Sequence, residues 1–423
     1  MTSPTNIFAR SAEANPTAGL VGPFSTDARA IAALPAEGVR PLTICHFTVA
    51  HEQLKSRSFH RELLPLALAG VNIRYLSPMD PHPVRDGIRF VSLPRSRSRI
   101  WRAVASIGLL PLLLRQRASV YHFQDPQLLP AAFTLKLLFR KRVIYDAYED
   151  FPALVAARKS IPRIFRSLAA KLLSGVESVA ARCFDGILTA DASTLRRFAR
   201  YSRSRKLVFY NFPNIDYFPA PRARATTFDV VYRGGLSDRA GTGVLLDTMA
   251  LLATRGAPLR LLLLGYFDDA QSEERFRQRI RKLNLESRVE IRGRIPHEEM
   301  AAALGSARVG VSPLLPVPKF LANIPVKIFE YWACGLPVVA TDLPPMRPFF
   351  RHGEAGLLVD SSREEKLIFS MAESIRWLLD HPALAREMGK CGRALITERF
   401  NNAAEVPKLR RFCEHIAAAG MGA

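Results

Sequence analysis

The segment Pro325-Val-Lys-Ile-Phe-Glu-Tyr-Trp-Ala-Cys-Gly-Leu-Pro-Val-Val-Ala-Thr-Asp342 decides the architecture, because it joins a charged helix to a buried strand through one tight turn. Pro325 suits the first turn of a helix, where its missing N–H would be unpaired anyway, and Asn323 just ahead is placed to cap it. Lys327 and Glu330, three apart, share one helical face. Gly335 stands where a helix end wants a left-handed residue, and 336–340 reads as a short strand buried on both faces. Such a unit offers a positive helix N-terminus, an ammonium suited to a diphosphate and a carboxylate suited to ribose hydroxyls. Taken alone, the Lys–Glu pair reads as a surface pair on an ordinary crossover helix, but the whole string is much rarer than its parts.

Outward from this unit the chain alternates strands and helices. In the first half the strands are 42–49, 71–76, 88–93, 120–123, 143–147, 186–190 and 206–210, with helices near 99–117, 127–139 and 161–183. In the second half they are 228–233, 260–265, 289–292, 309–312 and 336–340. Alternation of this kind predicts parallel sheets with helices on both faces. Asn211-Phe-Pro-Asn-Ile-Asp-Tyr-Phe-Pro-Ala220 interrupts it with turn formers. The expected organisation is a flexible tail at 1–40, a Rossmann-like domain at 41–210, a linker at 211–222, a second Rossmann-like domain at 223–400 and a C-terminal helix at 401–423. A helical stretch near 382–418 is long enough to cross back to the first domain. The fold class is α/β, with a cleft between the strand C-terminal edges of two tandem domains.

A chain of 423 residues with a 48% hydrophobic fraction has ample core for two domains. Five scattered cysteines, at 45, 183, 334, 391 and 413, point to a reducing cytoplasm and away from a zinc site or disulfide framework. Residues 1–40 lack the charged start and continuous apolar core of a signal peptide. Sixty Lys+Arg against 38 Asp+Glu give a net charge of +22, which calls for an anionic partner. The basic clusters lie in the first half: Arg95 to Arg102, Arg140 to Arg142, Arg158 to Lys171 and Arg196 to Lys206. An anionic membrane surface and nucleic acid both fit such a field; the membrane is favoured because apolar stretches at 103–114 and 128–139 lie between the charges. Each is shorter than the roughly 20 apolar residues of a bilayer span, so peripheral attachment at the inner face is expected. Nucleic acid is disfavoured by the lack of interleaved exposed aromatics and of a binding motif. Arginine-rich helix faces of a GC-rich genome account for part of the charge but not its crowding into one half.

The 325–342 string resembles the donor-binding signature of the large retaining glycosyltransferase family four, whose members have the two-domain GT-B fold. Together with the segments below, the resemblance spans roughly residues 40–400. It implies that Glu330 holds the ribose of a nucleotide diphosphate sugar and that Lys327 faces the diphosphate. Most members carry a further glutamate eight positions earlier, where this chain has Ala322. The shape Asn-x-Pro-x-Lys-x-x-Glu-Tyr resembles a subgroup common in bacterial exopolysaccharide, capsule and O-antigen assembly.

Tyr232-Arg-Gly-Gly-Leu-Ser-Asp-Arg-Ala-Gly241 follows a strand and precedes a helix, where Gly234 and Gly235 let backbone approach a phosphate. It resembles the family's first donor loop, with Ala240 at the usual basic position and Arg239 beside it as substitute. Gly293-Arg-Ile-Pro296 resembles the segment that lies against the nucleotide base, which brings in Arg294 and Ile295. A plain turn with Pro at a helix start fits it equally. In the first half, Tyr121-His-Phe-Gln-Asp-Pro126 and Tyr145-Asp-Ala-Tyr-Glu-Asp150 resemble the acceptor-side segments. His122, Asp125, Glu149 and Asp150 are cleft candidates there, against the alternative of helix caps or surface carboxylates. Tyr148 stands where a histidine near the sugar is usual, His46 at a strand end reads as a satisfied buried histidine, and His51 sits in the loop that reaches toward the donor.

Departure of a diphosphate develops negative charge on the leaving oxygen, so stabilising that oxygen is the main task. Lys327 and Arg239 are the expected leaving-group residues, with Glu149 and Asp150 in support; no metal and no other cofactor is expected. The implied acceptor is a lipid-linked or glycan molecule in cell-surface polysaccharide synthesis, with transfer of a hexose under retention. The alternative is an inactive GT-B protein serving as a nucleotide-sugar or glycan binding or scaffold subunit, which Ala322 and Tyr148 keep open.

Overall fold

Among the described residues thirteen strands, most of them buried on both faces, form two separate parallel sheets. The computed structural model describes residues 41–49, 58–78, 87–93, 106–156, 158, 161–201, 204–219, 226–350 and 354–419, with only the backbone of His297. The tail at 1–40, His51 and the arginines at 95–102 lie outside the described residues. The first sheet holds β1 (Thr43–Phe47), β2 (Asn72–Ser77), β3 (Ile88–Ser92), β4 (Val120–Phe123), β5 (Val143–Ala147), β6 (Gly186–Thr189) and β7 (Arg205–Val208), in the order β3-β2-β1-β4-β5-β6-β7. The second holds β8 (Phe228–Gly235), β9 (Leu261–Tyr266), β10 (Val289–Arg292), β11 (Ala307–Ser312), β12 (Val338–Thr341) and β13 (Gly356–Val359), in the order β10-β9-β8-β11-β12-β13.

The two orders are the same pattern: the chain winds outward from a central strand, returns, and winds the other way. Each sheet therefore has one place where the order reverses, β1 beside β4 and β8 beside β11, and ligands of doubly wound sheets bind outside the strand ends there. This is the α/β GT-B architecture that the sequence predicts. One strand escapes the sequence reading: β13 is a four-residue edge strand whose first three residues are half-buried, so it carries little apolar signal.

The segment expected as a linker is packed. Phe212 and Phe218 are buried in the second core, where the Phe212 ring lies 4.9 Å from Phe329 and 5.4 Å from Phe400. The C-terminal region is two helices, Pro382–Glu398 and Asn402–Ala418, separated at Asn401, which caps the second by accepting from the Ala404 N–H at 2.8 Å. The first packs in the second half. The second buries Val406, Leu409, Phe412 and Ile416 in the core beneath β1, β2 and β3, so the end of the chain is part of the first half.

The helix in the opening segment spans Lys327–Ala333, and all seven of its residues are buried. Gly335 has φ 71°, the Leu336 N–H donates to Tyr331 O at 3.0 Å and the Gly335 N–H to Trp332 O at 2.9 Å, a Schellman end that turns the chain into β12. The expected cap is different. Asn323 terminates the preceding helix Pro318–Ala322 in an extended conformation, and the Lys327–Ala333 helix starts from Val326 with no side-chain cap.

Candidate active site

Tyr331 sets the geometry. Its hydroxyl accepts the Arg233 N–H at 2.8 Å and donates to Val311 O at 3.1 Å, tying the buried helix to the ends of β8 and β11 at the reversal point. Lys327, one turn earlier, extends its Nζ to 4.0 Å from the centre of the Tyr232 ring. A Cβ placed on Gly234 would stand 3.1 Å from that nitrogen, so the ammonium rests between an aromatic face and bare backbone. Burial, then the neighbouring Arg233, pull the Lys327 pKa down to about 7, with Glu330 opposing them.

Glu330 is fully buried and is approached by two guanidiniums. Arg233 Nη1 lies 2.7 Å from Oε2, and Arg61 Nη2 lies 3.3 Å from Oε1. Arg61 belongs to the first half and is also held by the main-chain and side-chain oxygens of Asn211. The carboxylate is thus gripped from both halves of the chain. Arg61 and Glu330 are 269 positions apart, and no local pattern in the sequence joins them. Arg233 was within reach of sequence reading, because it stands at a strand end inside the glycine-rich string, one residue before Gly234.

The loop after β8 closes through Gly241. Its φ is 72° and a Cβ there would lie 1.7 Å from Pro313 O, so only glycine fits between the loop and the end of β11. Gly235 faces open space, with nothing within 4 Å of where its Cβ would be. Arg239 sits on the short 3-10 turn Asp238–Ala240 with its side chain 59% exposed and Nη2 3.5 Å from Asp268 Oδ2, at the exposed rim of the loop. Arg294 lays its guanidinium on the Tyr266 ring at 3.9 Å, and Ile295 packs against the second core.

In the first half, His122 on β4 is in register with His46 on β1, and their Nδ1 atoms are 3.2 Å apart. His122 Nε2 lies 4.0 Å from Glu62 Oε2. Among the described residues, Glu62, His122 and Asp146 form the donor set able to hold a cation: all three are buried, with their ligand atoms within 4.8 Å of one another. One imidazole with two carboxylates suits a divalent ion. Asp125 Oδ2 accepts from Thr48 Oγ1 and from the Val49 N–H, both at 2.7 Å, and so pins the loop after β1 to the loop after β4. Asp150 accepts from the Ala153 N–H and pairs with Arg197, both at 3.0 Å, which is a helix cap reinforced by an ion pair. Glu149 reaches across the halves, 3.5 Å from Lys319 Nζ. Tyr148 stands edge-on to Phe151 at 5.3 Å. At position 322, where the sequence offers alanine, the carbonyl accepts from Ser193 Oγ of the first half at 2.9 Å.

Residues 227–381, which contain Arg233, Lys327 and Glu330, match the family described as glycosyl transferases group 1. A putative colanic acid biosynthesis glycosyltransferase of Salmonella typhimurium is 27% identical over 184 residues, 43% of this chain and 44% of that protein. A phosphatidyl-myo-inositol mannosyltransferase of Mycobacterium tuberculosis is 26% identical over 182 residues, 43% of this chain and 45% of that protein. The chain therefore aligns with less than half the length of these relatives. In structure it resembles sucrose-phosphate synthase of Thermosynechococcus elongatus, with a TM-score of 0.71 and 19% identity over 90% of this chain and 100% of that one. Anabaena HepE in complex with UDP-glucose gives a TM-score of 0.63 at 14% identity, covering 89% of this chain and 100% of that one. Residues 227–381 are thus matched to the glycosyl transferases group 1 family, within a chain whose described residues carry the GT-B fold.

Proposed function

We propose that the protein is a glycosyltransferase that moves a hexose from a nucleotide diphosphate sugar to a lipid-linked or oligosaccharide acceptor of cell-surface polysaccharide, with retention. The observation that carries this reading is the convergence of Lys327, Arg233 and Glu330 beside the Gly234 backbone at the β8–β11 reversal, with Arg61 of the other half on the same carboxylate. Glu330 accepts the ribose hydroxyls. Lys327 and Arg233 take the diphosphate against Gly234 and Gly235, and Arg239 meets it from the rim of the loop. Arg294 and Ile295 flank the base.

Negative charge grows on the leaving oxygen as the anomeric bond breaks, and fixed cations in a buried site stabilise it more than water does. Lys327, poised near neutrality, takes up a proton as the dianion arrives and so meets it as ammonium. These cations let the transfer proceed without a divalent metal, and the leaving phosphate itself accepts the acceptor's proton. His122, Asp125, Tyr148, Glu149 and Asp150 lie on the acceptor side in this reading, the last two as supporting groups; His51, assigned to the same side from the sequence, is outside the described residues. Closure of the halves keeps water from the sugar. The name of the mannosyltransferase relative supports a lipid acceptor, and the UDP-glucose complex of the Anabaena fold neighbour supports the donor class. Among the described residues no helix is long and apolar enough to cross a membrane. We place the protein on the cytoplasmic face of the membrane, held there peripherally.

The test is release of nucleotide from a panel of nucleotide diphosphate sugars, with and without membrane lipid extract. Extract-dependent release with one sugar, unaffected by EDTA, is expected. Tight nucleotide-sugar binding with no release under any condition would favour a binding subunit, the reading that Ala322 supports by leaving the sugar without its usual carboxylate.

A further inference from the structure

The helix Arg163–Cys183 leaves an apolar stripe uncovered. Its Phe165, Leu168, Leu172, Val176 and Val179 recur at three- and four-residue steps and are 42–63% exposed, and Ile164 at its start is 80% exposed. The side facing the protein uses other residues, Glu177, Ala180 and Ala181, which are buried. Glu177 is the helix's one carboxylate, and it is turned inward to accept from Tyr145 Oη at 2.8 Å and to pair with Arg197 at 2.5 Å. Its outward faces therefore carry no negative charge.

Beside the stripe lies a groove of about 570 Å³ between this helix and the helix Phe151–Ala156. Arg163, Arg166, Lys171 and Arg197 line it, against the single carboxylate Asp150, which Arg197 already engages. Arg163 and Lys171 have no carboxylate partner among the described residues. A convex apolar stripe of one helix bordered by cations suits the boundary between lipid headgroups and acyl chains.

We propose that this face is a membrane-docking site: the stripe from Ile164 to Val179 enters the headgroup boundary of an anionic bilayer, and Arg163 and Lys171 bind phospholipid phosphates at the groove. The proposal deepens the inner-face placement and rests on that reading only for the choice of membrane. The apolar stretch at 128–139, expected at the lipid surface, is divided: Leu128, Leu129, Ala131, Ala132 and Leu135 are buried, while Leu137, Leu138 and Phe139 at its end are 44–75% exposed.

Sedimentation of the full chain with vesicles tests it, using equal parts phosphatidylglycerol and phosphatidylcholine against phosphatidylcholine alone. The wild type should bind the anionic vesicles and keep part of that binding at about 1 M salt, where the Debye length is about 3 Å. Leu168→Glu with Leu172→Glu should lose the salt-resistant fraction. Arg163→Ala with Lys171→Ala should weaken binding at low salt roughly thirtyfold. Circular dichroism and calorimetric binding of UDP or GDP should be unchanged in both variants, since neither touches the Lys327 site. Loss of nucleotide binding with intact vesicle binding would sink the donor reading and leave this one standing. Wild-type binding by the glutamate variant overturns the stripe, and equal binding to both vesicle types overturns the groove. Calorimetric binding of inorganic phosphate that Arg163→Ala with Lys171→Ala abolishes, while millimolar phosphate leaves vesicle binding unchanged, assigns the groove to free phosphate and likewise overturns it. Self-association abolished by the glutamate variant would show that a second copy covers the stripe.

Discussion

At the β8–β11 reversal the second half gathers buried charge, with Glu330 paired to Arg233 and Lys327 set against the Tyr232 ring and the bare backbone of Gly234. At the β1–β4 reversal the first half gathers a hydrogen-bonded pair of imidazoles, and Asp125 there is used to pin two loops together. One strand order therefore supports two kinds of edge. A site for a diphosphate must hold cations out of water at a standing electrostatic cost, and the Lys327 pKa of about 7 is the record of that cost. The first edge buries carboxyl groups instead, Glu62 and Asp146 beside His122. Its polar groups stiffen the loops that the acceptor would meet.

On the proposed reading, changes at the second edge should act first on donor binding and chemistry, and a change at Asp125 of the first should act first on stability. Lys327→Ala should lower kcat about 100- to 1000-fold with a smaller change in KM, the size expected for removing a donor to developing negative charge. Equal losses in kcat and in ground-state binding would instead make Lys327 an ordinary anchor. Glu330→Ala should weaken calorimetric nucleotide binding by about 1.5–3 kcal/mol, the range for hydrogen bonds to a charged group. Unchanged affinity would remove Glu330 from the ribose.

Asp125→Ala should cost about 1.5–3 kcal/mol of unfolding free energy in urea, because it frees two bonds to a carboxylate. Nucleotide affinity should stay at the wild-type level, and a fall there would blur the division between the halves. Arg233→Ala should reduce turnover roughly tenfold, about 1.4 kcal/mol, and more than Arg239→Ala does, since Arg239 is at the exposed rim. The reverse ranking would return the diphosphate to the loop position that the family resemblance indicates.

The smallest effect is a pH linkage. The Lys327 pKa falls on folding, so between about 7 and 10.5 the unfolded chain binds more protons than the folded one. Lys327 therefore contributes a stability that climbs as pH rises through that window and a penalty that is complete below it. Melting temperatures of wild type and Lys327→Met should lie further apart at pH 7 than at pH 10. Nucleoside diphosphate binding at pH 8 should take up a proton, read by calorimetry in buffers of different ionisation enthalpy, and Lys327→Met should abolish the uptake.

Sequence periodicity was a good guide where burial is two-sided. β4 and β5 fall where the apolar runs place them, because a strand covered by helices on both faces reads as a continuous apolar segment. β13, short and at the edge, lacks that signal. The turn at Gly335 was legible because a left-handed helix end demands glycine whatever surrounds it. The missing cap at Asn323 was not, since the choice between ending one helix and starting the next depends on how the 318–322 segment docks.

The site divides along the same line. Lys327, Glu330, Gly234 and Arg233 lie in two strings whose residue types suit the nucleotide-binding role proposed above, and local spacing suffices to put each string beside a strand end. Tertiary structure alone decided that Arg61 reaches Glu330 from the other half, that Arg239 turns to the rim, and that the Arg163–Cys183 helix keeps its apolar stripe outside. Spacing along the chain fixes which residues share a face of an element. Which face meets protein, and which meets water or lipid, depends on how distant segments pack, and that interaction has no period in the sequence.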